Sequence, residues 1–121
     1  MRIDEHRNGD VAVLTPVGDM DLTTLPTFES RVAGLEKDGV RAIVWDLGSV
    51  QVLPSAAIGF LMLSVRRMKE AGGHMAIARP SRLVRSTLDT MGVLGVFSVF
   101  EDVEHAVEDL QARFDESGGT D

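Results

Sequence analysis

The stretch Arg41-Ala-Ile-Val-Trp-Asp-Leu-Gly-Ser-Val-Gln-Val-Leu-Pro-Ser-Ala-Ala-Ile-Gly-Phe60 decides how this chain folds. Its first seven residues form a short apolar run rich in β-formers, the mark of a buried strand. Gly48 to Pro54 reads as a loop. From Ser55 to about Ala71 a helix follows, ended by Gly72-Gly73. A serine opening a helix can accept a first-turn N–H as an N-cap, which contributes about 1 kcal/mol. The same position suits a phosphoserine, because free N–H groups and the positive helix end stabilise its charge of about −2. Residue type and position leave both roles open.

Outward from this unit, the chain alternates between strand and helix periods. Residues 2–7 and 10–17 flank the turn dipeptide Asn8-Gly9 and predict a β-hairpin. Pro16 would place a gap in the ladder, near the end of the second strand. Thr23-Thr24 is an N-cap pair before a helix carrying Leu25, Phe28, Val32 and Leu35, which stops at Asp38-Gly39; Pro26 fits its first turn. His74 to Ala78 is a further apolar strand. Pro80-Ser81 opens a third helix with Leu83, Val84 and Leu88 on one face, ending at Met91-Gly92. Val96 to Phe100 predicts a last strand, and Val103 to Phe114 a last helix with Val103, Ala106, Val107 and Leu110 inward. The order β-β-α-β-α-β-α-β-α implies right-handed crossovers and a mixed, largely parallel α/β sheet. The hairpin makes the first strand antiparallel to its neighbour. Strand order does not follow from the pattern.

The 121 residues suit one domain, over about residues 1–116, with 117–121 as a flexible C-terminal tail. With no cysteine, the chain has neither disulfides nor a thiolate nucleophile or metal ligand. The net charge of −7, with five Phe, one Trp and no Tyr, argues against nucleic-acid binding by charge and by stacking. The start lacks the apolar run of a secretory signal, and charged residues interrupt every long segment, so the expected location is the cytoplasm without membrane insertion. His6, His74 and His105 are scattered, and no phosphate-binding glycine loop occurs. The expectation is a non-enzyme with no catalytic residue, cofactor or metal.

Three further segments carry a resemblance. Gly18-Asp-Met-Asp21 is similar to the Gly-acidic-apolar-Asp corner of the STAS family, named for sulfate transporters and anti-sigma factor antagonists. Asp46-Leu47, Val50 and the loop to Ser55 resemble its Asp-Leu-Ser-x-Val strand end running into Asp-Ser-Ser-Gly-Leu-Gly. Leu88-Asp-Thr-Met-Gly-Val93 resembles the Leu-x-x-x-Gly-Leu that closes its third helix. The likeness spans roughly residues 3 to 112, and the order and spacing of the motifs are more specific than any one of them. It implies four successive βα turns with the helices mainly on one face.

The resemblance also implies a partner, a serine kinase that doubles as an anti-sigma factor. The unmodified antagonist binds it, and phosphorylation of the helix-opening serine breaks the complex. Ser55 then matches the phosphoacceptor and Asp21 the partner-contacting corner, with Asp19, Thr23, Pro54 and Ala56 beside them. The sequence departs from the family where Asp-Ser-Ser-Gly-Leu-Gly becomes Pro54-Ser-Ala-Ala-Ile-Gly59, losing the acid before the serine. That loss keeps a second reading in view: a non-phosphorylated accessory subunit docking on the ATPase of an ABC-type lipid transporter. A homodimer is left open.

Helix geometry adds a candidate surface. At 100° per residue, Ile58, Leu61, Met62, Val65 and Met68 share a core-facing arc. Phe60 and Leu63 fall on the opposite side, near Arg67, and are expected to contact a partner unless the loop at residues 48–54 covers them.

Overall fold

The computed structural model describes residues 2–118, with side chains described through residue 113. The hairpin strands β1 (Arg2–Asn8) and β2 (Val11–Val17) lead into α1 (Leu25–Lys37), β3 (Ala42–Asp46) and α2 (Ser55–Glu70). Strand β4 (His74–Ala78), α3 (Arg82–Thr90), a 3-10 turn at Leu94–Val96, β5 (Ser98–Phe100) and α4 (Val103–Gly118) complete the chain.

The five strands lie in the order β1-β2-β3-β4-β5, with β1 antiparallel to β2 and the other pairs parallel. This is the mixed, largely parallel sheet expected. The sequential order explains the helix placement. Successive right-handed crossovers that always advance in one direction must put every connecting helix on one face. Accordingly, Phe28, Val32 and Leu35 of α1, Ile58, Leu61, Val65 and Met68 of α2, and Val84 and Leu88 of α3 share one core. Helix α4 is not a crossover. It covers the opposite face through Ala106, Val107 and Leu110.

Alternation along the strands supplies both cores. Leu14, Ile43, Trp45, Met75 and Ile77 point to the three-helix side. Val11, Val13, Ala42, Val44, Ala76 and Ala78 point to α4. Large side chains thus fill the side that packs three helices, and small ones let a single helix approach closely. Trp45 is fully buried between Phe28 and Phe60, with ring centroids 5.8 Å and 6.3 Å away. Its indole Nε1 finds no hydrogen-bond partner.

Several local expectations shift. The two turn residues of the hairpin are Gly9 and Asp10, because Asn8 pairs with Val11. Gly9 has φ of +63°, and Asp10 is not among the positive-φ residues, the pattern of a II′ turn with glycine first. Leu83, expected inward with Val84 and Leu88, is 57% exposed, since it lies about 100° from Val84 around a helix that buries a narrow stripe. The last strand is only Ser98–Phe100, because the chain closes a 3-10 turn through Val96 before it extends. Helix α4 runs through Gly118, so the first two residues of the expected tail are helical, and 119–121 lie outside the described residues.

Trp45→Ala is expected to cost on the order of 3–5 kcal/mol as a large-to-small core change. Denaturant unfolding monitored by circular dichroism checks this. A loss below about 1 kcal/mol would mean that the Trp45 site closes up without leaving a cavity.

Candidate functional site

Parallel strands point their C-terminal ends the same way, so the loops after β2, β3 and β4 gather at one end of the sheet. Two of them are tied together directly. Asp19 Oδ1, in the loop after β2, accepts from the amides of Gln51 (2.8 Å) and Val52 (3.2 Å) in the loop before α2. Met20 next to it is fully buried and anchors the corner. Asp19 is thus the brace that holds the Asp21 corner against the loop presenting Ser55.

Asp21 organises the entry to α1. Its Oδ1 accepts from the amides of Thr23 (2.9 Å) and Thr24 (3.0 Å) and from the Thr23 hydroxyl (2.6 Å). Thr24 Oγ1 accepts the Asp21 amide in return at 2.9 Å, a reciprocal arrangement like a capping box. The expected Thr23-Thr24 cap pair is therefore corrected: Thr24 makes no side-chain cap bond to the helix, the Asp21 carboxylate ties the turn before it, and the Asp21 carbonyl takes the Leu25 amide at 2.9 Å. Hydrogen bonding, first from the Thr23 hydroxyl and then from the Thr24 amide, pulls the Asp21 pKa below its usual value of 3.8.

Ser55 is the first residue of α2 and is exposed. The N-cap is Pro54, with φ −69° and ψ 159°, and its carbonyl accepts from the amides of Ala57 (2.9 Å) and Ile58 (3.1 Å). Among the described residues the Ser55 side chain makes no hydrogen bond, so the N-cap role is overturned. A residue already at helical φ/ψ sits one place too late for its hydroxyl to reach back over the first-turn amides. Its hydroxyl faces water at the positive helix end, beside the exposed Ala56.

The outer face of α2 divides in two. Phe60 and Arg67 lean toward α1: Phe60 is half-buried, edge-on to Trp45 at 80°, and Arg67 reaches Glu36 at 3.1 Å. Phe60 is thus a lid on the core, not the exposed contact expected opposite it. Leu63, 54% exposed, turns the other way and lines a groove with Val96. Sequence reasoning also missed the exposed apolar residues of the braced loops, Leu22 (72%) and Val52 (51%). Single apolar residues in loops carry no periodic signal, so neither is singled out by pattern.

A second brace escaped the sequence reading too. Asp46, almost buried at the end of β3, accepts from the Gly48 amide at 3.0 Å and pairs with Arg79 at 3.4 Å. Arg79 holds φ of +56°, rare for a residue with a side chain, and its guanidinium occupies the space a Cβ on Gly48 would need. Its amide donates to Phe100 O at 2.9 Å. Together these bonds fix the loops after β3 and β4 at the same end as Ser55. Among the described residues no group of His, Asp or Glu has the arrangement of a metal site.

Asp19→Ala should speed amide hydrogen exchange at Gln51 and Val52 while leaving β3 protected, as read by NMR. The Asp21 carboxylate contributes stability above its unfolded pKa near 3.8 and loses it as pH falls through the lower folded value. The Thr23 and Thr24 amide shifts should therefore titrate on acidification with a midpoint below 3.8.

Comparison with known proteins places this arrangement. Anti-sigma-F factor antagonist RsfB of Mycobacterium tuberculosis is 28% identical over 97 residues, covering 80% of this chain and 79% of RsfB. The structure of the anti-sigma factor antagonist SpoIIAA in its unphosphorylated form superposes with a TM-score of 0.79 at 15% identity, covering 92% of this chain and 97% of SpoIIAA. The phosphorylated form of this Bacillus cell fate determinant gives 0.71 at 16%, covering 89% and 98%. The STAS domain model matches residues 2–106, and with that match over most of its length the chain belongs to the STAS family.

Proposed function

We propose that this chain is a phosphorylation-controlled anti-sigma factor antagonist acting in the cytoplasm. Its unmodified form binds a serine kinase that doubles as an anti-sigma factor, and a phosphate on Ser55 ends that complex. The observation that carries the reading is the exposed, unbonded Ser55 hydroxyl at the start of α2, on loops braced by Asp19. The two braced loops also carry exposed apolar side chains, Leu22 and Val52, suited to a protein contact. In the transfer, the Ser55 oxygen bonds the terminal phosphorus of a nucleoside triphosphate and the hydroxyl proton passes to a base on the kinase. The phosphoanhydride bond breaks and the diphosphate leaves. Asp19, Asp21, Thr23, Pro54, Ala56 and Leu63 belong to the partner face in this reading, Asp19 by holding the loops and the others by lying at their surface. Phe60 and Arg67 support that face from the α1 side.

The accessory-subunit reading also has an observation in its favour. Pro54 replaces the acid of the family motif, and among the described residues no hydrogen bond orients the Ser55 hydroxyl. Docking on a transporter ATPase would use the same exposed surface without a phosphate. Among the described residues no helix is long and apolar enough to cross a membrane.

Titration of purified variants against the host's serine kinase separates the two. The switch reading expects Ser55→Asp to weaken binding at least ~10-fold, about 1.4 kcal/mol. The fold should be unchanged, since an acid suits the positive helix end. Ser55→Ala should keep binding and, with no cap bond to lose, change stability by no more than about 0.5 kcal/mol. Equal binding by Ser, Ala and Asp at this position would sink the switch.

A further inference from the structure

We propose that the groove between α2 and the Leu94–Val96 turn receives an acidic amphipathic helix of a partner protein. The groove is lined by Gly59, Met62, Leu63, Arg66, Lys69 and Val96, with Glu70 at its far end. Leu63 and Val96 are 54% and 40% exposed, while Met62 is half-buried between them and the core. This is an apolar floor left open to water.

Charge chooses the occupant. The chain carries −7 overall, and most of its described arginines are engaged: Arg2, Arg7, Arg31, Arg67, Arg79 and Arg113 each meet a carboxylate. Arg66 and Lys69 have no ion-pair partner among the described residues, although the acidic protein offers many carboxylates. Both project from α2 along the open apolar floor. A positive rim over an apolar floor is complementary to a helix with apolar anchors on one stripe and Asp or Glu beside it. From Gly59 to Glu70 the groove follows α2 for about 16 Å, three helical turns, at 1.5 Å per residue. A groove that runs along one helix, with Val96 beside it, fits a single rod better than a plane of lipid headgroups.

Gly59 gives the entrance its shape. It lies inside α2, where glycine is a poor helix former, and nothing stands within 4 Å of the position its Cβ would take. No crowding inside the chain calls for glycine there, and its bare backbone lets a second helix come close. The entrance is one turn from Ser55, so a phosphate there would face the incoming acidic helix and repel it. The inference needs only that α2 meets a protein, which it shares with the switch reading; it does not need Ser55 to be modified.

The probe is a synthetic 14-residue helix with Leu at i, i+3, i+4 and i+7 and Glu elsewhere, titrated into the full 15N-labelled chain. Controls are the same peptide with Lys replacing each Glu, and phosphatidylglycerol vesicles in a flotation assay. NMR shifts should concentrate on Gly59–Glu70 and Val96, and affinity should fall as salt rises. R66E/K69E should weaken peptide binding at least ten-fold, and the milder Leu63→Ser should weaken it without altering the fold. Equal binding of the Lys peptide, shifts centred elsewhere, or charge-dependent vesicle binding without peptide binding would overturn the groove. Peptide failure beside an intact Ser55 switch rejects the groove alone; a failed switch beside specific peptide binding rejects the switch alone.

Discussion

The handedness of the crossovers is the constraint on which everything else here depends. Because each βα connection advances one strand in the same direction, α1, α2 and α3 are obliged to share a face. Parallel pairing sends the ends of β2, β3 and β4 to one rim. The three loops that matter for function therefore meet without any sequence proximity between them. Two small polar devices turn that meeting into a surface. Asp19 joins the first loop to the second, and Asp46 with Arg79 joins the second to the third. Asp19 works by supplying an acceptor for loop amides that have no ladder to join, and Asp46 adds to such a bond, from Gly48, its ion pair with Arg79.

Energetic scale shows why a single hydroxyl on that rim can govern association. A doubly charged phosphate about 6 Å from a partner carboxylate repels it by roughly 1.4 kcal/mol even at the dielectric constant of water. That is a tenfold change before any loss of apolar contact is counted. Within the chain the same charge meets only a helix start, whose orphan amides favour it. In the proposed switch such a modification would be tolerated by the fold and opposed by the complex, the asymmetry a reversible device requires. Asp21, already satisfied by Thr23 and Thr24, keeps its own charge turned into the α1 entry.

Much of the fold was legible because it rests on periodicity. The strand from His74 to Ala78 and the opening of α2 at Ser55 coincide with what the apolar pattern and the loop punctuation give. What was not legible depends on one-residue phase or on distance along the chain. A helix wheel places Phe60 and Leu63 on the same outer side, yet 60° of difference sends one onto Trp45 and the other into a groove. Thr24 looked like a cap and proved to be the acceptor in a turn that Asp21 commands. Ser55 is a first helical residue and not a cap, because Pro54 in extended conformation already fills that role. The bonds of Asp19 and Arg79 cross more than thirty residues, and no local pattern announces them.

The lone helix on the far face has a consequence for how the chain comes together. Strands β2, β3 and β4 can pair, and their crossovers can cover one side, before α4 has any role. At that stage Val11, Val13 and Val44 form a bare β-branched strip, next to the small surface of Ala42, Ala76 and Ala78. Such a strip is what stacks one sheet on another in aggregation. Helix α4 is synthesised after all five strands and docks against it through Ala106, Val107 and Leu110, with Val103 beside them and Gln111 reaching the carbonyl of Asn8 at 3.0 Å. The half of the molecule that bears the Ser55 rim is thus assembled through local βα contacts. Its protection against self-association in the nascent state depends on the element at the opposite face.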